Sequence, residues 1–297
     1  MSSKQPTSLV KYNDAETAIR TLTNASLRWS APCLLQDPFE LDHHSSLNFD
    51  SKALLIACVK KTLGLIFSRD DPSGNSPLIK AVRRWRAEER FDTEDEATEV
   101  LTELLASMVR QRDPELSQIR DDWNDFSSKL RILSLNESHE NLSLWQNQAD
   151  GHKGIAVRLA CGEDTNFESP MSMVYTETKP EISSLSEQVE ILMSQEPVSI
   201  QDGFMEKFLC KSKLQSKERE WRLFNNTEHT VDDETQWFED ITFAPSELRA
   251  VYFGAGIAET NKQAVLKLLS QKYPRAKQFQ AIAKNSRFEL DFERLNP

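Results

Sequence analysis

The chain has no Cys-x-x-Cys pair and no zinc-like spacing. Its four cysteines, Cys33, Cys58, Cys161 and Cys210, are scattered, so free thiols in a reduced compartment are expected. Long apolar runs are missing too. The longest, Ala53 to Phe67, is broken by Lys60-Lys61 and is too short to span a bilayer. Met1 to Val10 is polar and holds no leader core, so a cytoplasmic location with no membrane partner is expected. Basic residues are in deficit: 36 Lys and Arg face 47 Asp and Glu, a net charge of −11. That excludes broad, sequence-independent nucleic-acid binding but leaves room for a local basic patch. No internal repeat or low-complexity linker interrupts the 297 residues. Gly254-Ala255-Gly256 lacks the third glycine and the Gly-Lys-Ser/Thr ending of nucleotide loops, and reads as a strand-to-helix turn.

What is present describes an ordinary globule, 38% hydrophobic and 28% charged. Leu9 to Tyr12 reads as a strand, Asn13-Asp14 as a cap for a helix over Ala15 to Thr23, and Leu27 to Ser30 as a second strand. From Asp50 to about Lys129 the spacing is helical: Ser51 to Phe67, a helix opened by Pro77, one capped by Thr93-x-x-Glu96, and another started by Asp113-Pro114. Strands are predicted at 130–135, 154–159, 171–175 and 221–224, with a helix near 184–195. The C-terminal part reads strand 248–253, helix 259–271, and strands 278–283 and 287–292. The expected fold is α+β, a single domain over 1–297, with a β-rich core of 1–49 and 130–297 and a helical insertion at 50–129.

The segment Lys217-Glu218-Arg219-Glu220-Trp221-Arg222-Leu223-Phe224 carries the clearest chemical signal. As a strand it sets Glu218, Glu220 and Arg222 on one face, with the two carboxylates roughly 7 Å apart. Paired carboxylates suit chemistry at a glycosidic carbon, where positive charge develops in the transition state. Glu220 is the candidate for stabilising that charge and Glu218 for orienting or deprotonating an acceptor. Arg222 is expected to keep both ionised or to grip a pyrophosphate. Lys207, Lys211, Lys213, Lys217 and Arg219 lead into this run, and Arg83-Arg84-Trp85-Arg86 is also basic. If the acceptor is a nucleic acid, its phosphates are expected at Lys211, Lys213, Lys217 and Arg219.

Four segments, in order, resemble a bacterial family catalogued only as a domain of unknown function, the one numbered twenty-nine seventy-one. They are Leu9-Val10-Lys11-Tyr12 with Leu27-Arg28-Trp29-Ser30-Ala31-Pro32; Asp37-Pro38-Phe39-Glu40; Leu144-Trp145 through His152-Lys153-Gly154-Ile155; and Glu218-Arg219-Glu220-Trp221-Arg222. Gln36 and Gln148 stand where that family has Asn and Tyr. The order of elements also resembles the ADP-ribosyltransferases, including bacterial toxins and phage-defence effectors. That likeness implies a mixed, mainly antiparallel split sheet and NAD as a substrate, with no metal. It places Tyr12 or Lys11 on the nicotinamide ribose and Ser30 on the nicotinamide side. Trp145 and His152 join the expected cofactor contacts, with His152 or Lys153 near phosphate. The partners it implies are an RNA or protein acceptor and an antitoxin or inhibitory protein.

Two rival readings stand beside it. Tyr175-Thr176-Glu177-Thr178-Lys179 holds a Glu-x-Lys with Asp164 upstream, the makings of a metal-dependent nuclease. A non-catalytic interaction module of a defence or toxin–antitoxin operon is the other. His43-His44 beside Asp42 carries little weight as a metal site, because neighbouring side chains of a strand face opposite ways.

Overall fold

A computed structural model describes residues 5–42, 44–194, 199–229 and 234–295. His43 and Gln195, which figured in the expectations above, lie outside them. In chain order the first elements are β1 (Ser8–Asn13), α1 (Ala15–Asn24) and β2 (Ser26–Ser30). Three helices follow: α2 (Ser51–Phe67), α3 (Pro77–Ala87) and α4 (Glu94–Lys129). The middle of the chain holds β3 (Leu130–Asn136), α5 (Leu142–Asn147), β4 (Ile155–Ala160), β5 (Met171–Ser172) and β6 (Val174–Thr176). Next come α6 (Leu185–Ser194), α7 (Phe204–Lys207), β7 (Cys210–Ser212), β8 (Glu220–Asn226) and β9 (Phe238–Thr242). The chain closes with β10 (Leu248–Phe253), α8 (Glu259–Lys272), β11 (Lys277–Ala283) and β12 (Leu290–Arg294).

The single expected domain resolves into two compact units. One comprises residues 1–40, 128–179 and 209–297; the other, 41–127 and 180–208. The helical part is therefore larger than the 50–129 insertion expected, because α6 and α7 return to it from a later stretch of chain. Burial explains the return. Trp123 stacks on Phe208 with ring centroids 5.0 Å apart and meets Phe204 edge-on at 5.1 Å, so the late segment supplies half of an aromatic core.

Asp113-Pro114 does not start a new helix: Pro114 lies inside the 36-residue α4. Leu101, Leu105, Val109, Leu116, Ile119 and Trp123 are all buried, and this stripe keeps its phase across the proline. Burial of one continuous face overrides the missing N–H.

The β-rich unit is mixed α/β with a mainly antiparallel sheet. Among the described residues ten strands form it, in the order β12-β11-β10-β4-β1-β3-β2-β9, with β8 on β3 and β5 on β8. Only β10 and β11 run parallel within it. The sheet branches at β3. Strand β8 covers β3 from Leu130 to Asn136, while β1 and β2 each reach it through a single residue pair, Val10 with Asn136 and Ser30 with Ile132. One face buries Leu9, Leu133, Leu135, Val157, Trp221 and Phe253 beneath Ala18 and Leu22 of α1 and Val265 and Leu269 of α8. The capping that starts α1 is as the sequence indicates: the Asp14 carboxylate accepts from Thr17 N–H at 2.8 Å. All four cysteines are free thiols. Among the described residues no helix is long and apolar enough to cross a membrane.

Candidate functional site

The Glu218-x-Glu220 pair does not lie on one strand. Lys213 to Glu218 forms a short 3-10 helix capped by Ser212, and Arg219 adopts a left-handed φ of 46° before β8 begins at Glu220. A non-glycine residue in that region costs about 1–2 kcal/mol, so neighbours must hold the turn. They do: Asn136 Nδ2 donates to the Glu218 carbonyl at 3.1 Å, and Asn141 Nδ2 to that of Lys217 at 2.7 Å. Alternation therefore governs Glu220 and Arg222 alone, and the turn brings Glu218 round to them by another route.

The outcome is a buried chain of alternating charges. Lys211 Nζ donates to Glu218 Oε2 and Glu220 Oε2, both at 2.9 Å. Glu220 Oε1 accepts from Arg222 Nε at 2.7 Å. The far side of the Arg222 guanidinium lies 2.7 Å from Glu40 Oε2, and Glu40 Oε1 is 3.8 Å from Lys211 Nζ. Side-chain exposure rises outward, from 1% at Arg222 and 5% at Glu220 to 7% at Glu40, 10% at Lys211 and 21% at Glu218. The Tyr175 hydroxyl accepts from Glu220 N–H at 2.8 Å, fixing the backbone as well.

Charge placement sets the protonation states. Burial alone would push Glu220 up, but Arg222 and then Lys211 overturn it and hold its pKa at about 2. Glu40 goes the other way: burial raises it, and Arg222 and Lys211 offset only part of that. Burial draws the Lys211 ammonium down, yet Glu220 and Glu218 more than compensate and it rises above its ordinary value. Glu220 is thus a desolvated, ionised carboxylate, with Glu218 as its solvent-facing companion.

The other expected site residues fall in three places. Lys11 lies close to the cluster, donating to the Ser134 carbonyl at 2.9 Å beside the β1–β3 junction; burial lowers its pKa, and Glu220 partly restores it. Tyr12, Trp145 and His152 gather elsewhere. The Tyr12 hydroxyl donates to the Ser138 carbonyl at 2.8 Å, and its ring meets Trp145 edge-on at 5.3 Å. His152 stacks near Trp145 at 6.4 Å in a turn where Asp150, Gly151 and His152 all have positive φ. The His152 carbonyl accepts from Gly256 N–H at 2.9 Å, so the turn buttresses the end of β10. Ser30 is parted from Glu220: it pairs with Ile132, which pairs with Phe224, four residues along β8 and roughly 13 Å away. Of the expected N-terminal residues, Lys11 is the one whose charge feels Glu220, while Tyr12 makes its contacts with Ser138 and Trp145 and Ser30 lies further down the sheet.

The basic and metal expectations change as well. Arg222 is sealed between Glu220 and Glu40, not turned towards a pyrophosphate. Lys211 is committed to carboxylates rather than to phosphate. Lys213 pairs with Glu177 at 2.8 Å and Arg219 with Glu137 at 3.6 Å, both on the surface, while Lys217 is exposed. Pairing with acids cancels most of the predicted phosphate track. Among the described residues no group of three His, Cys, Asp or Glu side chains is placed to hold a metal. Sequence reasoning assigned no role to Glu40. Its signal was the Asp37-Pro38-Phe39-Glu40 segment, where a buried-capable acid follows a rigid loop. Comparisons with protein-family models, curated proteins and solved structures return no match.

Proposed function

We propose that the β-rich unit transfers ADP-ribose from NAD, with Glu220 as the ionised carboxylate that stabilises the oxocarbenium-like ribose and Glu218 as the group that orients the acceptor. One observation carries the reading: two carboxylates meet on the Lys211 ammonium, the inner one desolvated and held at a pKa of about 2. A fixed negative charge in a low-dielectric setting favours a cationic transition state over neutral ground-state sugar. Lys211 occupies Glu220 Oε2 in the resting protein, so a ribose hydroxyl reaches that oxygen when the ammonium turns wholly to Glu218. The expected order of elements, which resembles that of the ADP-ribosyltransferases, is in keeping with this chemistry, and an RNA or protein acceptor and an inhibitory partner belong to the same proposal. The test is nicotinamide release from NAD by the purified chain. Glu220→Gln is expected to cut it by about 10²–10³-fold with the fold retained; a variant with near-native turnover refutes the assignment.

A second reading rests on the occupancy of both Glu220 oxygens at 5% exposure. In it the charge chain fixes the geometry of a non-catalytic interaction module. Buried ion pairs seldom add net stability over apolar packing, and specificity of structure is one reason to keep them. No nicotinamide release from wild-type protein under any acceptor condition favours this reading.

A further inference from the structure

Arg158, on β4, is a half-buried cation with no acidic partner among the described residues. Its Nε donates to the Tyr252 hydroxyl at 3.2 Å, Nη1 to Ser8 Oγ at 3.3 Å, and Nη2 to His139 Nδ1 at 3.0 Å. All three partners are neutral. His139 accepts at Nδ1 and is held uncharged, because burial and then Arg158 bring its pKa down to about 4. His139 stacks on Tyr252 with centroids 4.0 Å apart, and Phe292 meets it edge-on at 4.5 Å, so the histidine is fixed in place. A buried charge left without a counter-ion is costly, and proteins usually pair it. In this unit Arg222 and Lys211 are paired with carboxylates, and Arg131 is instead satisfied by four backbone carbonyls.

The donor arithmetic defines the missing partner. A guanidinium carries five N–H groups, and three are used, which leaves one on each terminal nitrogen, on the nitrogens suited to fork-like grip of an oxyanion. Ser8 and Tyr252 accept from Arg158, so their own hydroxyl protons remain to donate. Arg158 and Ser8 are both partly exposed. Donors without acceptors, and positive charge without negative, describe a site for an anion.

We propose that Arg158, Ser8 and Tyr252 bind a nucleotide phosphate. Position favours the pyrophosphate of the dinucleotide that the transferase reading requires. Arg158 pairs with Val10, Val10 with Asn136, and Asn136 with Glu220, so Arg158 and Glu220 share one row and one face of the sheet. Three strand spacings separate their backbones, roughly 14 Å, and both side chains are long.

Titration calorimetry on the whole chain with inorganic pyrophosphate and with ADP-ribose tests the site without any turnover. Both are expected to bind, ADP-ribose the tighter. Arg158→Gln is expected to weaken both by roughly 10- to 100-fold, as the loss of charge-assisted hydrogen bonds implies. Ser8→Ala, a small change at a half-buried position of β1, is expected to weaken both by a smaller factor and guards against a misfolded arginine variant. Unchanged pyrophosphate affinity in Arg158→Gln and Ser8→Ala, or no binding of either ligand to wild type, overturns the proposal. Pyrophosphate binding that ADP-ribose does not displace keeps a phosphate site but overturns its link to the dinucleotide. Binding of ADP-ribose by a chain that releases no nicotinamide keeps this site and ends the transferase reading instead.

Discussion

Lys211 and Glu220 meet at 2.9 Å with side-chain exposures of 10% and 5%, and each helps to hold the other charged. The ammonium bridges two carboxylates that the chain delivers from a turn and from a strand start. Removing it leaves Glu218 without its ammonium partner and Glu220 with Arg222 alone. Lys211→Met is expected to destabilise the β-rich unit by about 1.5–3 kcal/mol, the usual worth of hydrogen bonds to charged groups. Urea denaturation followed by tryptophan fluorescence measures it, and a loss under 1 kcal/mol, about the scale of an exposed pair, contradicts the buried-network description.

Acid stability follows from the two carboxylates that flank Arg222. Glu220 is depressed from 4.5 to about 2, so its contribution is complete above 4.5 and is lost as pH falls from there towards 2. Glu40 is raised above 4.5, so the folded state gains the proton first, and its contribution grows as pH falls towards 4.5. Thermal melting of wild type against Glu220→Gln is expected to differ most at neutral pH and to converge only as pH approaches about 2. Parallel curves across that window would count against the depressed pKa.

Gly254 is a steric prediction. A Cβ at this position would stand 2.2 Å from the His152 carbonyl oxygen, whereas at Gly256 the nearest atom is 3.6 Å away. Gly254→Ala is expected to cost at least the 1–3 kcal/mol typical of forced overpacking, roughly, and Gly256→Ala much less. Equal melting temperatures for the two variants would show that the turn yields freely.

Pro114 offers a gain. It removes an N–H from the middle of α4, a defect worth about 3 kcal/mol in an isolated helix interior. Pro114→Ala is expected to raise the denaturation midpoint of the helical unit, with circular dichroism as the check. A fall in stability would mean that the helix geometry at this point was selected for something besides helicity.

Local order was legible in the sequence wherever a periodic apolar pattern met a capping residue. Helix α2 spans Ser51–Phe67 as expected, with the Asp50 carboxylate accepting from Ala53 N–H at 2.7 Å. Helix α3 opens on Pro77 with Ser76 as its cap. What escaped were features decided by tertiary demand. Nothing local in Arg219 announces a left-handed turn; its conformation is held by Asn136 and Asn141, distant in sequence. Proline statistics at position 114 pointed to a boundary that a long buried stripe overrode. The site was legible in its acids and not in their company. Glu218 and Glu220 do share a location, but Glu40 arrives from 180 residues earlier, as the difference between 40 and 220 shows, and no spacing rule connects the two. Tyr12 and Ser30 stood at the right places in the order of elements, yet register assigns one to an aromatic core and the other to a point further down the sheet.

The branching at β3 gives that strand a mechanical role. Each of its two smaller attachments is a lone rung, so the main-chain seam between the β1 and β2 wings is thin where Lys11 reaches across to Ser134. Parting the wings there sacrifices few backbone hydrogen bonds, whereas peeling β8 away would break a full ladder. The seam beside the lysine is therefore where the sheet parts at least cost, and Glu220 on β8 stays with the strand that keeps its full ladder.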